Sequence, residues 1–76
     1  MNLNASNGDL YNNPDSFAMA FDTAWNDYDL EINKEIAIED KIQIIFEKIK
    51  NHPFLMENPV RSRQIALFRI KLLGLI

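Results

Sequence analysis

No cysteine occurs in the chain, so neither a disulfide framework nor a thiolate metal site can reinforce the fold. Histidine occurs once, as His52. A Ser/His/Asp or Cys/His nucleophile system would have to be built on that residue, beside a proline in a turn. No catalytic residue is therefore expected, and the chain reads as a non-enzyme. The only glycines are Gly8 and Gly74, which excludes a glycine-rich phosphate loop; no cofactor is implied. Long apolar runs are also missing. The greasiest stretch, 65–76, is interrupted by Arg69 and Lys71 and is far short of the roughly 20 residues that span a bilayer. The opening MNLNASNGDL has neither the basic nor the apolar region of a secretory signal. These absences point to a soluble, cytoplasmic protein with no membrane contact.

What remains is 76 residues with 47% apolar and 25% charged content, enough for one domain near the lower limit at which a single core is self-sufficient. Stability must come from helix packing, with a second copy or another protein as a potential contributor. The net charge of −3 conceals a division. Residues 1–40 hold nine acids against one base, Lys34, for a charge of −8, and residues 41–76 hold seven bases against two acids, for +5. The halves should attract each other, within a chain or between chains.

Residues 1–13 are rich in Asn with little apolar content, which reads as a disordered or loosely docked tail, with Leu10 and Tyr11 as an arm that could dock. The remainder, 14–76, reads as an all-α, three-helix domain that dimerisation could complete. Asn13-Pro14-Asp15 is a helix start: an N-cap, a proline whose missing N–H costs nothing there, and an acid at the positive end of the dipole. Phe17, Phe21, Ala24, Trp25 and Tyr28 then share one face of a first helix over roughly 14–28. The alternation that follows, Tyr28, Leu30, Ile32 and then Ile36, Ile38, fits either a small hairpin turning at Asn33-Lys34 or a linker at 29–33 in which Asn33 caps the next helix. The linker is preferred. Asp27, Asp29 and Glu31 imitate the opening of a calcium loop, but Ile32 stands where the loop needs glycine and Ile38 where it needs an acid. No metal site is expected.

The second helix, over roughly 34–51, presents Ile38, Ile42, Ile45, Phe46 and Ile49 on a narrow face, with Ile44 pointing away. Its acids, Glu35 and Glu39, stand at the start and its bases, Lys48 and Lys50, at the end, as the macrodipole favours. Asn51-His52-Pro53 stops it, with His52 read as a residue favourable to the C-terminal dipole. Phe54, Leu55 and Met56 form an apolar connector. Asn58-Pro59 repeats the capping chemistry of Asn13-Pro14 and opens a third helix over 58–76, which carries four of the eight basic residues. Drawn at 100° per residue, its apolar positions surround the axis rather than collect on one side, which marks a buried helix. Its body is expected at the centre of the core or in an oligomer seam.

Two functions of different class follow. The first is a small protein–protein interaction module, either a homodimer or an inhibitor or adaptor of a larger protein, a kind of chain plausible among phage or mobile-element products. It rests on the surplus apolar surface of the third helix, with Arg61, Arg63, Gln64, Arg69, Lys71 and Trp25 as partner-binding residues. The alternative is a DNA-binding transcriptional regulator in which the second and third helices form a helix-turn-helix variant, with Lys48, Lys50, Arg61, Ser62, Arg63 and Gln64 at the nucleic acid. Arg61 and Arg63 sit in a first helical turn, where positive charge opposes the dipole. They read as holding a phosphate or a partner's carboxylate, with the Ser62 hydroxyl in support, or as pairing internally with Asp22, Asp27 or Asp29.

Overall fold

The computed structural model describes residues 12–32 and 35–74, which form four helices and, among the described residues, no strand. They are α1 (Pro14–Glu31), α2 (Ile38–Lys48), the single-turn α3 (Pro53–Glu57) and α4 (Pro59–Leu72). The all-α expectation holds, with one helix more than expected, because the apolar connector is itself helical.

The start of α1 follows the sequence closely. The Asn13 carboxamide accepts a hydrogen bond from the Ser16 N–H at 2.8 Å, and Pro14 occupies the first turn. Asn12 is also tied down, its amide donating to the Glu57 carboxylate at 3.0 Å. The rest of the expected tail, with Leu10 and Tyr11, lies outside the described residues. At its other end α1 runs on to Glu31, past the expected stop at Tyr28. This leaves Asp29 and Glu31 beside the negative end of the dipole, where carboxylates are disfavoured. Lysines from α2 offset them: Lys41 pairs with Asp29 and Lys48 lies 3.9 Å from Glu31. Since Asp27, Asp29 and Glu31 belong to a helix, the loop that a calcium site would require does not form.

The proposed hairpin has no counterpart among the described residues; its turn at Asn33-Lys34 lies outside them, as does the Asn33 cap. Residues 35–37 are non-helical, and α2 begins only at Ile38, after an extended Ala37 that offers no side-chain cap. Glu39 and Asp40 in its first turn and Lys48 in its last complement the dipole.

His52 does not close α2. It caps α3, its Nδ1 accepting the Phe54 N–H at 3.2 Å. Asn58 also departs from the expected symmetry with Asn13. It makes no side-chain cap for α4; its amide turns back and donates to the Phe54 carbonyl at 3.4 Å, serving the end of α3. At the far end of α4, Gly74 takes φ +67°, the left-handed conformation that suits a residue just past a helix C-terminus.

The core is organised around α1. Phe17, Phe21, Ala24, Trp25 and Tyr28 are all buried, against Ile42 and Ile45 of α2, Phe54 of α3, and Ala66 and Ile70 of α4. Phe17 is the hub, with ring centroids 5.7–5.8 Å from those of Phe46, His52 and Phe54. The expectation that α4 forms the centre of the core is thus overturned. Only Ser62, Ala66 and Ile70 of α4 are buried, a strip with spacing i, i+4, i+8. Two of the three are small, which lets α4 lie close against the aromatic face of α1. Ile65 is half-buried against this core, whereas Val60, Leu67, Phe68 and Leu72 are exposed.

Candidate nucleic-acid interface

The buried strip fixes which way the rest of α4 points. At 100° per residue, Arg61, Gln64, Phe68 and Lys71 fall on the side opposite Ser62, Ala66 and Ile70, and all four are exposed. Val60, Leu67 and Leu72 share this outward arc and are also exposed. From Arg61 to Lys71 the arc runs about 15 Å along the helix. It faces away from α1, whose own solvent side carries the exposed acids Asp15, Asp27 and Glu31. These three acids therefore lie on the other side of the core from the arc.

Ion pairing sorts the basic residues further. Arg69 grips Asp22 with two hydrogen bonds of 3.2 and 2.5 Å, half-buried at the α1–α4 contact; donating to the Asp22 carboxylate raises its pKa. Lys41 is buried, with Nζ 4.0 Å from the Trp25 ring centroid and 4.9 Å from that of Tyr28, a cation–π arrangement closed by Asp29. Arg63 contacts Glu39 at 2.5 Å. Lys50 contacts Glu47 at 2.8 Å, whose hydrogen bond and charge raise the lysine pKa. Lys48 turns toward Glu31. Among the described residues, Arg61 and Lys71 alone of the cationic side chains have no carboxylate within ion-pair distance. Arg61 instead sits over the Phe54 ring, its guanidinium carbon 5.8 Å from the centroid.

The expected site residues are divided by this arrangement. Arg61, Gln64 and Lys71 come together on the outward arc of α4. Arg63 and Lys50 line a shared groove between α2 and α4 with Gln43, Met56 and Pro59. Lys48 leaves the set: it lines a different groove, beside Glu31, Asp27 and Asp15. Trp25 is 2% exposed and has no surface to offer a partner. Ser62 is fully buried, its hydroxyl without a hydrogen-bond partner among the described residues, and cannot support an anion at the surface. Arg69 is taken up by Asp22. The internal pairing envisaged for Arg61 and Arg63 takes another form: Arg63 uses Glu39, and the α1 aspartates serve Arg69 and Lys41.

Two further positions stand out in the structure, Phe68, exposed on the outward arc, and Lys41, buried between Trp25 and Tyr28. The 3, 4, 3 spacing of residues 61, 64, 68 and 71 was available as a signal for Phe68, once the inward strip is known. Nothing in the local pattern sets Lys41 apart from the other polar residues of α2.

Among the described residues, no group of three His, Asp or Glu side chains is placed to hold a metal ion, and no helix is long and apolar enough to cross a membrane. A family model described as a cyanobacterial helix-turn-helix domain matches residues 15–74. No curated protein matches the chain, and no solved structure does. The family match overturns the first functional expectation, a protein–protein interaction module acting as homodimer, inhibitor or adaptor. The match favours the helix-turn-helix alternative.

Proposed function

The chain belongs to the cyanobacterial helix-turn-helix family, and from that premise we propose that it is a non-enzymatic, cytoplasmic DNA-binding regulator that lays α4 in the major groove of duplex DNA. The segment consists of α2, the connection 49–58 containing α3, and α4 as the groove-entering helix. One observation carries this reading: the two described cationic side chains without a carboxylate, Arg61 and Lys71, share one outward arc of α4 with Gln64. A helix placed in a groove needs charge toward the phosphates on both flanks and hydrogen-bonding groups toward the base edges between them. Arg61 and Lys71 stand at the two ends of the arc, and Gln64 lies between them. Arg63 and Lys50 stand at the edge, where they reach phosphates by exchanging Glu39 and Glu47 for the stronger field of the DNA.

The overall acidity sets a limit on this binding. Few phosphates can be neutralised, so the dependence of affinity on salt should be shallow for a DNA-binding protein. With two to four phosphate contacts, log K against log salt concentration should have a slope of about −2 to −4. Binding to a random duplex over a range of salt tests the reading. Arg61→Ala and Lys71→Ala should each make the slope shallower by about 0.9, with the helical circular dichroism unchanged because both residues are exposed. Absence of duplex binding, or slopes unaltered in both variants, would contradict it.

A further inference from the structure

The outward arc of α4 is less polar than phosphate binding alone requires. Between its two cations stand Gln64 and, one turn further on, Phe68, which is 61% exposed. Phe68 also lines a shallow, largely apolar groove with Ile38, Gln64, Leu67, Ile70 and Lys71. A phenyl ring there has nothing to give a phosphate. It does match the one apolar group that base pairs present in the major groove, the 5-methyl of thymine. The Gln64 carboxamide presents a donor and an acceptor side by side. This complements adenine, which offers an N6 donor beside an N7 acceptor, and not guanine, which offers two acceptors.

We infer that α4 selects A·T-containing sequence, with Gln64 hydrogen-bonding the major-groove edge of an adenine and Phe68 covering a thymine methyl within two base pairs of it. The inference rests on the duplex-binding reading above. The two side chains are four residues apart, about 6 Å along the helix axis, which is the scale of one to two base steps at 3.4 Å per step. Arg61 and Lys71 flank them, and this charge complementarity identifies the occupant of the apolar arc as DNA. The apolar contact has particular weight in an acidic chain: with few phosphate contacts, more of the affinity must come from the bases.

The test has two stages. Short randomised duplexes are selected on the full chain, and each thymine of the enriched sequence is then replaced by deoxyuridine, which deletes only the methyl group. An A·T pair should be enriched. One or two deoxyuridine substitutions should weaken wild-type binding about fourfold while leaving binding by Phe68→Ala unaffected. Gln64→Ala should relax the preference for adenine by about tenfold at one position. Both residues are exposed, so both variants should keep the fold, as circular dichroism will verify. Duplex binding without deoxyuridine sensitivity, or with equal sensitivity in Phe68→Ala, overturns the base assignment and leaves the DNA reading intact. Failure of the wild type to bind any duplex overturns both.

Discussion

His52 shows how a single side chain can hold two parts of this fold. Its Nδ1 accepts the Phe54 N–H that starts α3, its Nε2 lies 3.3 Å from the Ser16 hydroxyl of α1, and its ring meets Phe17 edge-on. Burial lowers its pKa below the usual value near 6.5, and the Nδ1 acceptor role requires that nitrogen to be unprotonated. The sign of the pH effect follows. In the unfolded chain His52 takes up a proton near pH 6.5, whereas the folded chain resists until a lower pH. Stability is therefore fully present above about 6.5 and lost as pH falls toward the lowered value. Urea denaturation between about pH 7 and about 5.3, a unit above the usual Glu pKa of about 4.3, should show this decline. His52→Asn, which keeps a cap acceptor without titrating, should flatten it. An equally steep decline in the variant would assign the effect to other groups. Ser62 is the complementary case at this scale: a fully buried hydroxyl with no hydrogen-bond partner among the described residues, tolerated at a position where a small side chain is needed.

That need belongs to the elements. Ser62, Ala66 and Ile70 bring α4 onto the aromatic face of α1, and the small size of the first two sets how closely the helices approach. Overfilling the contact should be costly. Ala66→Leu should destabilise the chain by about 1–3 kcal/mol, measured by urea denaturation, and should tilt α4 enough to weaken duplex binding as well; unchanged stability would show that the α1–α4 seam is not tightly packed. The elements also show what could be read from the sequence. The aromatic stripe of α1, its Asn13-Pro14 start and the isoleucine face of α2 were legible because each depends on local periodicity or capping chemistry. The role of α4 was not. Seven apolar residues distributed around its axis left periodicity silent about which side is buried, and the answer depended on the aromatic bulk of α1 selecting the one strip with small residues. The helical turn at Phe54 and the reversal of Asn58 were hidden for a similar reason, since both depend on contacts that short-range pattern does not encode.

In the whole molecule, the charge division of the sequence reappears as internal pairing. Arg69–Asp22, Lys41–Asp29, Lys48–Glu31 and Arg63–Glu39 each join the acidic first half to the basic second half. The attraction expected between the halves is thus exercised within one chain. Most of the basic residues are consumed by it, which explains why the raw count of lysines and arginines in the second half was a poor guide to the site. Among the described residues Arg61 and Lys71 are the cations left over from this pairing, and on the proposed reading they are the ones that meet DNA. On the proposed reading, the outward arc of α4 is the surface that meets duplex DNA. Mapping amide chemical shifts of the isotopically labelled chain during titration with a short duplex tests it most directly. The predicted result is a set of perturbations confined to α4 around Arg61, Gln64, Phe68 and Lys71, with Lys50 and Arg63 at the edge. Perturbations centred on the acidic solvent side of α1, or none at saturating duplex, would contradict it.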